Sequence, residues 1–233
     1  MSAANAVPAL GAAGPGLAWA VSQLPGGRLE NGRIRAAGAE VALEHLSGAQ
    51  GEDDYAVRFA RGAQARVQAN SAVGAISGLL ALGELLRAGK TGSLRKYLRF
   101  RTRNYKHELR LDAHAPRSVV KYTDATWHAL CRNLAARQFN GLVFYAGYHP
   151  FEFILDYKAF PEAAGKPEAE RAAVRAALNR GLAIAHGYGL RTFIQHYCNH
   201  FTQELADHYK IATTGRLSAI DHPEIERYTR YCY

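Results

Sequence analysis

Asn140-Gly141-Leu142-Val143-Phe144-Tyr145 is the stretch on which the fold turns: a helix-breaking pair, then four apolar residues in a row. The run lacks the alternation of a half-buried strand and reads as a strand covered on both faces, the kind found in parallel sheets flanked by helices. The segments on either side agree. Upstream, Thr123 caps a helix carrying Trp127, Leu130, Leu134 and Phe139, with Asp124 at its positive end. Downstream, a helix from Pro167 to Tyr188 turns Val174, Ala177, Leu178 and Ile184 inward and stops at Gly187 and Gly189. Leu190 to Tyr197 is a second buried strand, and Arg103 to Leu111 is an earlier one. Ile220 to Tyr233 opens a further helix, with Pro223 in its first turn and Glu224 and Glu226 near its positive end. Strands and helices alternating at these lengths imply right-handed βαβ units and a parallel sheet. The last helix reaches Tyr233 with no capping residue, so the expectation is a sheet cut short in mid-course.

The N-terminal half has a different rhythm. Tyr55-Ala56-Val57-Arg58-Phe59 alternates, Arg61-Gly62 makes a turn, and Ala65 to Gln68 returns, which together predict a hairpin. Ser71 then caps a long apolar helix through Arg87, with Leu79, Leu82, Leu85 and Leu86 on one side and Gly89 at its end. Gly74 and Gly78 leave one side of that helix bare, for close approach to the sheet. Glu40 to Leu46 alternates as a strand would. Leu17 to Leu24 is read as a strand closed by the turn Pro25-Gly26-Gly27. Residues 1–16 are rich in Ala, Gly and Pro and are read as a disordered leader.

Composition narrows the classes. No stretch approaches the roughly 20 unbroken apolar residues of a membrane helix, and no basic segment precedes an apolar core as in a signal peptide. The expectations are therefore no membrane partner and a cytoplasmic location. Cys131, Cys198 and Cys232 are scattered and carry no C-x-x-C pair, so they predict neither a disulfide framework nor a zinc ribbon. The formal charge of +9 favours acidic partners, nucleic acid or uronate-bearing sugars among them. The densest basic run spans Arg95 to Arg110. Within it Leu98-Arg99-Phe100-Arg101 alternates like a half-buried strand with a solvated basic face, so no nucleic-acid partner is expected.

Three stretches together resemble the β-hexosaminidase and α-glucuronidase group of glycoside hydrolases. Tyr55 to Gln68, followed by Ser71-Ala72-Val73-Gly74-Ala75 and the leucine helix, is similar to the small non-catalytic α/β domain that those enzymes carry ahead of their barrel. Arg101-Thr102-Arg103, leading into a strand that ends near Glu108, is similar to their first barrel strand. Leu134 to Asn140 resembles the helix end before the second strand, and Arg180-Gly181 to Gly189-Leu190-Arg191 the approach to the third. In the loop after the third strand, only His200 matches the group's pattern, and loosely. The resemblance implies an α/β protein in two parts. An accessory domain over residues 17–95 (an antiparallel sheet plus a helix) precedes the first βα units of an incomplete (β/α)8 TIM barrel over residues 96–233. It also implies the N-terminal portion of a glycoside hydrolase acting on an oligo- or polysaccharide, inactive alone, with its acid and base carboxylates beyond residue 233.

In such a barrel the active site lies at the C-terminal ends of the strands. That rule selects the loops Glu108 to His114, Tyr145 to Asp156 and His196 to His200. The candidate substrate-binding residues are Arg103, Glu108, Tyr145, His149, Glu152, His196, Asn199 and His200: aromatic faces for ring C–H groups, and planar hydrogen-bonding side chains for hydroxyls. Pro150 fixes the loop holding His149 and Glu152. Glycosidic cleavage needs two carboxyl groups flanking the bond. Glu108, Asp112, Glu152 and Asp156 are available, but none sits in a catalytic pattern, so no catalytic residue is assigned. No cofactor is expected. His196 and His200, with Cys198 between them, would suit zinc, yet the sequence fixes no further ligand, so no metal is expected either. The rival readings are a non-catalytic carbohydrate-binding module and a metal-dependent barrel hydrolase. A partial barrel would also expose strand edges and self-associate.

Overall fold

The computed structural model describes residues 14–60, 63–111, 115–145, 157–195, 203–211, 213–214, 217–218 and 222–232. They form two compact units: Met1–Tyr105 with Asp124–Leu142 and Leu182–Thr192, and Lys106–Thr123 with Val143–Gly181 and Phe193–Tyr233. Residues 1–13 of the expected leader and the Arg61-Gly62 turn lie outside the described residues.

The first unit is built on six strands: β1 (Arg28–Glu30), β2 (Arg33–Ala36), β3 (Ala39–Glu44), β4 (Tyr55–Phe59), β5 (Ala65–Ala69) and β6 (Gly92–Lys96), in the order β1-β2-β3-β5-β4-β6. Every pairing is antiparallel except that of β3 with β5. The expected hairpin is β4 and β5, with Val57 opposite Val67, both fully buried.

Helix α2 (Ala72–Arg87) packs on these two strands, and Ser71 caps it by accepting the Gly74 N–H at 3.0 Å. The bare side is the packing side. A Cβ on Gly78 would lie 2.5 Å from the Val67 Cγ1, and one on Gly74 would lie 3.1 and 3.2 Å from the carbonyl oxygens of Asp53 and Asp54. Gly89 follows with a φ of +62°, the left-handed turn that ends the helix.

Two expectations fail here. Leu17 to Leu24 is no strand: Gly14–Ser22 is helix α1. Its buried residues Leu17, Ala20 and Val21, with Leu24 beyond, follow the helical spacing of three and four rather than the period of two. Leu98-Arg99-Phe100-Arg101 is not a strand either. The strand lies earlier, at β6, where every residue is exposed and the segment is held by its pairing with β4 and by Arg95, whose Nη2 donates to the Ser47 and Gly48 carbonyls. At Leu98 the chain leaves the sheet, because the Leu98 N–H donates to the Asp54 carboxylate at 2.8 Å.

A second sheet has the order β7 (Asn104–Glu108), β8 (Gly141–Tyr145), β9 (Arg191–Gln195). Helix α3 (Asp124–Ala136) connects the first two strands and α4 (Glu168–Gly187) the next two. The Asn140 N–H donates to the Arg103 carbonyl (3.1 Å), and the Arg191 N–H to the Asn140 carbonyl (3.0 Å). Three strand starts are thus joined side by side, so the strands run the same way. Leu142 and Phe144 of β8 are buried as expected, but Phe193 and Ile194 of β9 are 43% and 44% exposed, against the expectation of a buried strand. Among the described residues, β9 ends its sheet and has one strand neighbour.

Cys131 is buried on α3, and burial pushes its thiol up to about 12, so it is a packing residue. In the second unit Leu109, Leu111 and Val119 are buried, and a parallel bridge joins Arg110 to Ser118. Also there are α5 (Gln203–His208), the short pair β10 (Thr213–Thr214) and β11 (Leu217–Ser218), and α6 (Pro223–Cys232). Among the described residues, no helix is long and apolar enough to cross a membrane. The molecule is a mixed α/β protein.

Candidate functional site

The polar residues of the first unit converge on Asp53, in the turn before β4. Its carboxylate is buried and accepts three hydrogen bonds: from the Ser71 hydroxyl (2.6 Å), the Arg103 Nη2 (2.8 Å) and the Asn140 Nδ2 (2.7 Å). Asn140, 2% exposed, also donates from Nδ2 to the Arg101 carbonyl (2.6 Å), and its Oδ1 accepts the Arg103 N–H (2.8 Å). The sequence marks Asn140 only as a helix breaker, yet its side chain is the hub on which the approaches to β7 and β8 meet.

Arg103 spends its guanidinium on the protein. Besides Asp53, it donates from Nε to the Gln138 carbonyl (2.6 Å) and from Nη1 to the Phe100 carbonyl (2.5 Å). Gln138 holds a φ of +62° and donates from Nε2 to the Tyr55 hydroxyl at 3.1 Å. Burial raises that tyrosine's pKa above its ordinary value, so it stays neutral. Asp54 is also buried. Its carboxylate accepts the backbone N–H groups of Gln50 (2.9 Å), Gly51 (2.8 Å) and Leu98 (2.8 Å). Burial works to raise its pKa, but those three bonds and the nearby Arg95 outweigh it and hold the group below the usual carboxylate range.

Arg103 immediately precedes β7, whereas Glu108 is the strand's last residue. The Glu108 carboxylate is half-exposed and pairs with the exposed Arg110 at 3.0 Å, a contact worth about 0–1 kcal/mol in solvent. Beside it His107 meets the Tyr122 hydroxyl at 3.0 Å; burial, with Arg117, lowers its pKa and favours the neutral ring. Tyr145 is the last residue of β8. Since β7, β8 and β9 run together, Glu108, Tyr145 and Gln195 terminate adjacent strands at one end of the sheet. The Tyr145 side chain lies outside the described residues, as do His149, Glu152, His196, Asn199, His200, Asp112, Asp156 and Cys198. Among the described residues, no group of three or more His, Cys, Asp or Glu could hold a metal ion.

The first unit also contains a polar cavity of about 610 Å³, lined among others by Glu52, Asp54, Leu98, Arg101, Arg103 and Arg191. Nothing in the sequence pattern points to it, because its lining comes from four separate segments.

No protein-family model matches the chain, and no curated protein matches it. Among solved structures, a GH138 enzyme targeting pectin rhamnogalacturonan II superposes with a TM-score of 0.70, at 19% identity over 92% of this chain. The likeness is one of fold. The chain spans 26% of that enzyme's length.

Proposed function

We propose that the chain is the N-terminal portion of a glycoside hydrolase acting on an oligo- or polysaccharide. The observation that carries the reading is the fold likeness, across nearly the whole chain, to an enzyme that targets a pectin. In this reading residues 17–95 are the accessory α/β domain. Residues 96–233 supply the first βα units of a (β/α)8 barrel, in which β7-α3-β8-α4-β9 is the opening run. The run fits a barrel's logic, with same-direction strands, sequential order and a helix in each connection. Substrate contacts then belong at the strand ends, to Glu108 and Tyr145 and to the loop residues His149, Glu152, His196, Asn199 and His200. Arg103, before the strand, positions that strand. The catalytic acid and base are not assigned to any residue of this chain.

The test is a titration of the isotopically labelled full chain with pectic, xylan-derived and chitin-derived oligosaccharides, read by amide chemical shifts. At least one series should shift the amides of Glu108 and Tyr145. Silence at both, for every series, sinks the reading. In parallel, reducing-sugar release by the full-length product of the gene should follow the same substrate preference.

A further inference from the structure

The cavity of the first unit is built differently from the strand ends. Three of the six charged side chains on its walls are already spent: Asp53 and Arg103 on each other, Asp53 also on Ser71 and Asn140, and Asp54 on three backbone N–H groups. Two guanidiniums are not. Arg101 and Arg191 line the cavity, both residues are exposed, and among the described residues neither forms a salt bridge.

Their backbones, however, are fixed. The Arg101 carbonyl takes the buried Asn140 amide at 2.6 Å, and the Arg191 N–H donates to the Asn140 carbonyl at 3.0 Å. The Arg191 Nη2 reaches back to the Arg101 carbonyl at 3.4 Å, which holds the Arg191 side chain against the Arg101 backbone, and both residues line the one cavity. Two guanidiniums lining one cavity on a fixed backbone are suited to a carboxylate, which an arginine can bind through two parallel N–H bonds. The lining also includes the exposed Glu52, Thr102 and the apolar Leu98. A carboxylate and a hydroxyl on the lining serve sugar hydroxyls, and an apolar side chain serves the C–H face of a pyranose. A cavity with such a mixed lining lacks the continuous basic stripe that a duplex needs. The volume falls within the roughly 300–1,000 Å³ of small-ligand sites.

We propose that this cavity binds a uronate unit of an acidic saccharide, with Arg101 and Arg191 holding its carboxylate. The site is separate from the strand ends, and it gives the chain a second hold on an acidic polymer. The proposal rests on the reading of the chain as carbohydrate-active.

Trigalacturonate, its neutral methyl ester, inorganic phosphate and a single-stranded oligonucleotide are titrated into the full chain, by calorimetry and by amide shifts. Trigalacturonate should move the amides of Gly51 and Leu98, bind at least about tenfold tighter than the ester, and lose about tenfold in affinity in Arg101→Ala and in Arg191→Ala. Both substituted side chains are exposed, so unchanged thermal midpoints should accompany the loss. Equal binding of the ester, or affinity that survives both substitutions, overturns the proposal. So does phosphate or the oligonucleotide moving the same amides as tightly. Shifts at Glu108 and Tyr145 without shifts at Gly51 and Leu98 uphold the carbohydrate reading and sink this site, whereas silence at all four sinks both.

Discussion

Asp53 is a carboxylate that folding removes from water, and its stability depends on whether every partner is present. Truncating Arg103→Ala leaves a buried charge with two neutral donors, and removing one partner of a buried pair costs about 3–5 kcal/mol. Urea denaturation should show a loss of that size. In an Asp53→Asn background, where no charge is stranded, the same truncation should cost clearly less. A second residue-scale expectation concerns pH. The folded protein holds His107 below its ordinary value of 6.5 and Asp54 below its ordinary 3.8. In both cases the unfolded chain takes up the proton first, so stability is fully present at higher pH and declines as pH falls. Urea midpoints should therefore decline in two stages, one starting near 6.5 and one near 3.8, and His107→Gln should remove the first. A flat profile between pH 7 and 5 in the unsubstituted chain would show that His107 is not shielded.

At the scale of elements, the packing of α2 against the β4-β5 hairpin depends on Gly78. An added Cβ would meet Val67, a fully buried β-branched side chain that cannot swing aside, at 2.5 Å. Gly78→Ala should cost about 1–3 kcal/mol despite the better helix propensity of alanine, and Val67→Ala should relieve part of that cost in the double variant. Calorimetric midpoints of the four proteins decide it. This helix was legible in the sequence because its cap, its leucines, its paired glycines and its terminating Gly89 all agree. So was β8, whose unbroken apolar run has one reading. Helix α1 was misread because Leu17, Ala20, Val21 and Leu24 sit in a segment crowded with glycine and proline, where turn signals mask a helical period. β6 was missed for a different reason: it buries no face, so no alternation marks it, and its register comes from β4. The polar cluster was illegible for a third reason. Asp53, Ser71, Arg103 and Asn140 are far apart in sequence, and only the fold shows that one carboxylate serves three elements.

At the scale of the whole molecule, the sheet edges differ in how they are protected against pairing with another chain. β6 ends in Arg95-Lys96, β7 carries Lys106, and β1 is three residues long with a charge at each end. Charged or short edge strands resist edge-to-edge association. β9 has its only charge at Arg191, its first residue, and then exposes Phe193 and Ile194 side by side. Self-association through β9 is therefore expected, opposed by the mutual repulsion of chains carrying a formal charge of +9. The two terms respond oppositely to salt: screening weakens the repulsion and leaves apolar pairing intact. Sedimentation velocity should accordingly show a concentration-dependent shift to larger species that grows from low to high ionic strength. Phe193→Lys should restore the monomer, while Leu94→Lys on the already protected β6 should change nothing. A chain that stays monomeric at high concentration and high salt would mean that β9 is not an open edge, and that its exposed pair is covered within the molecule.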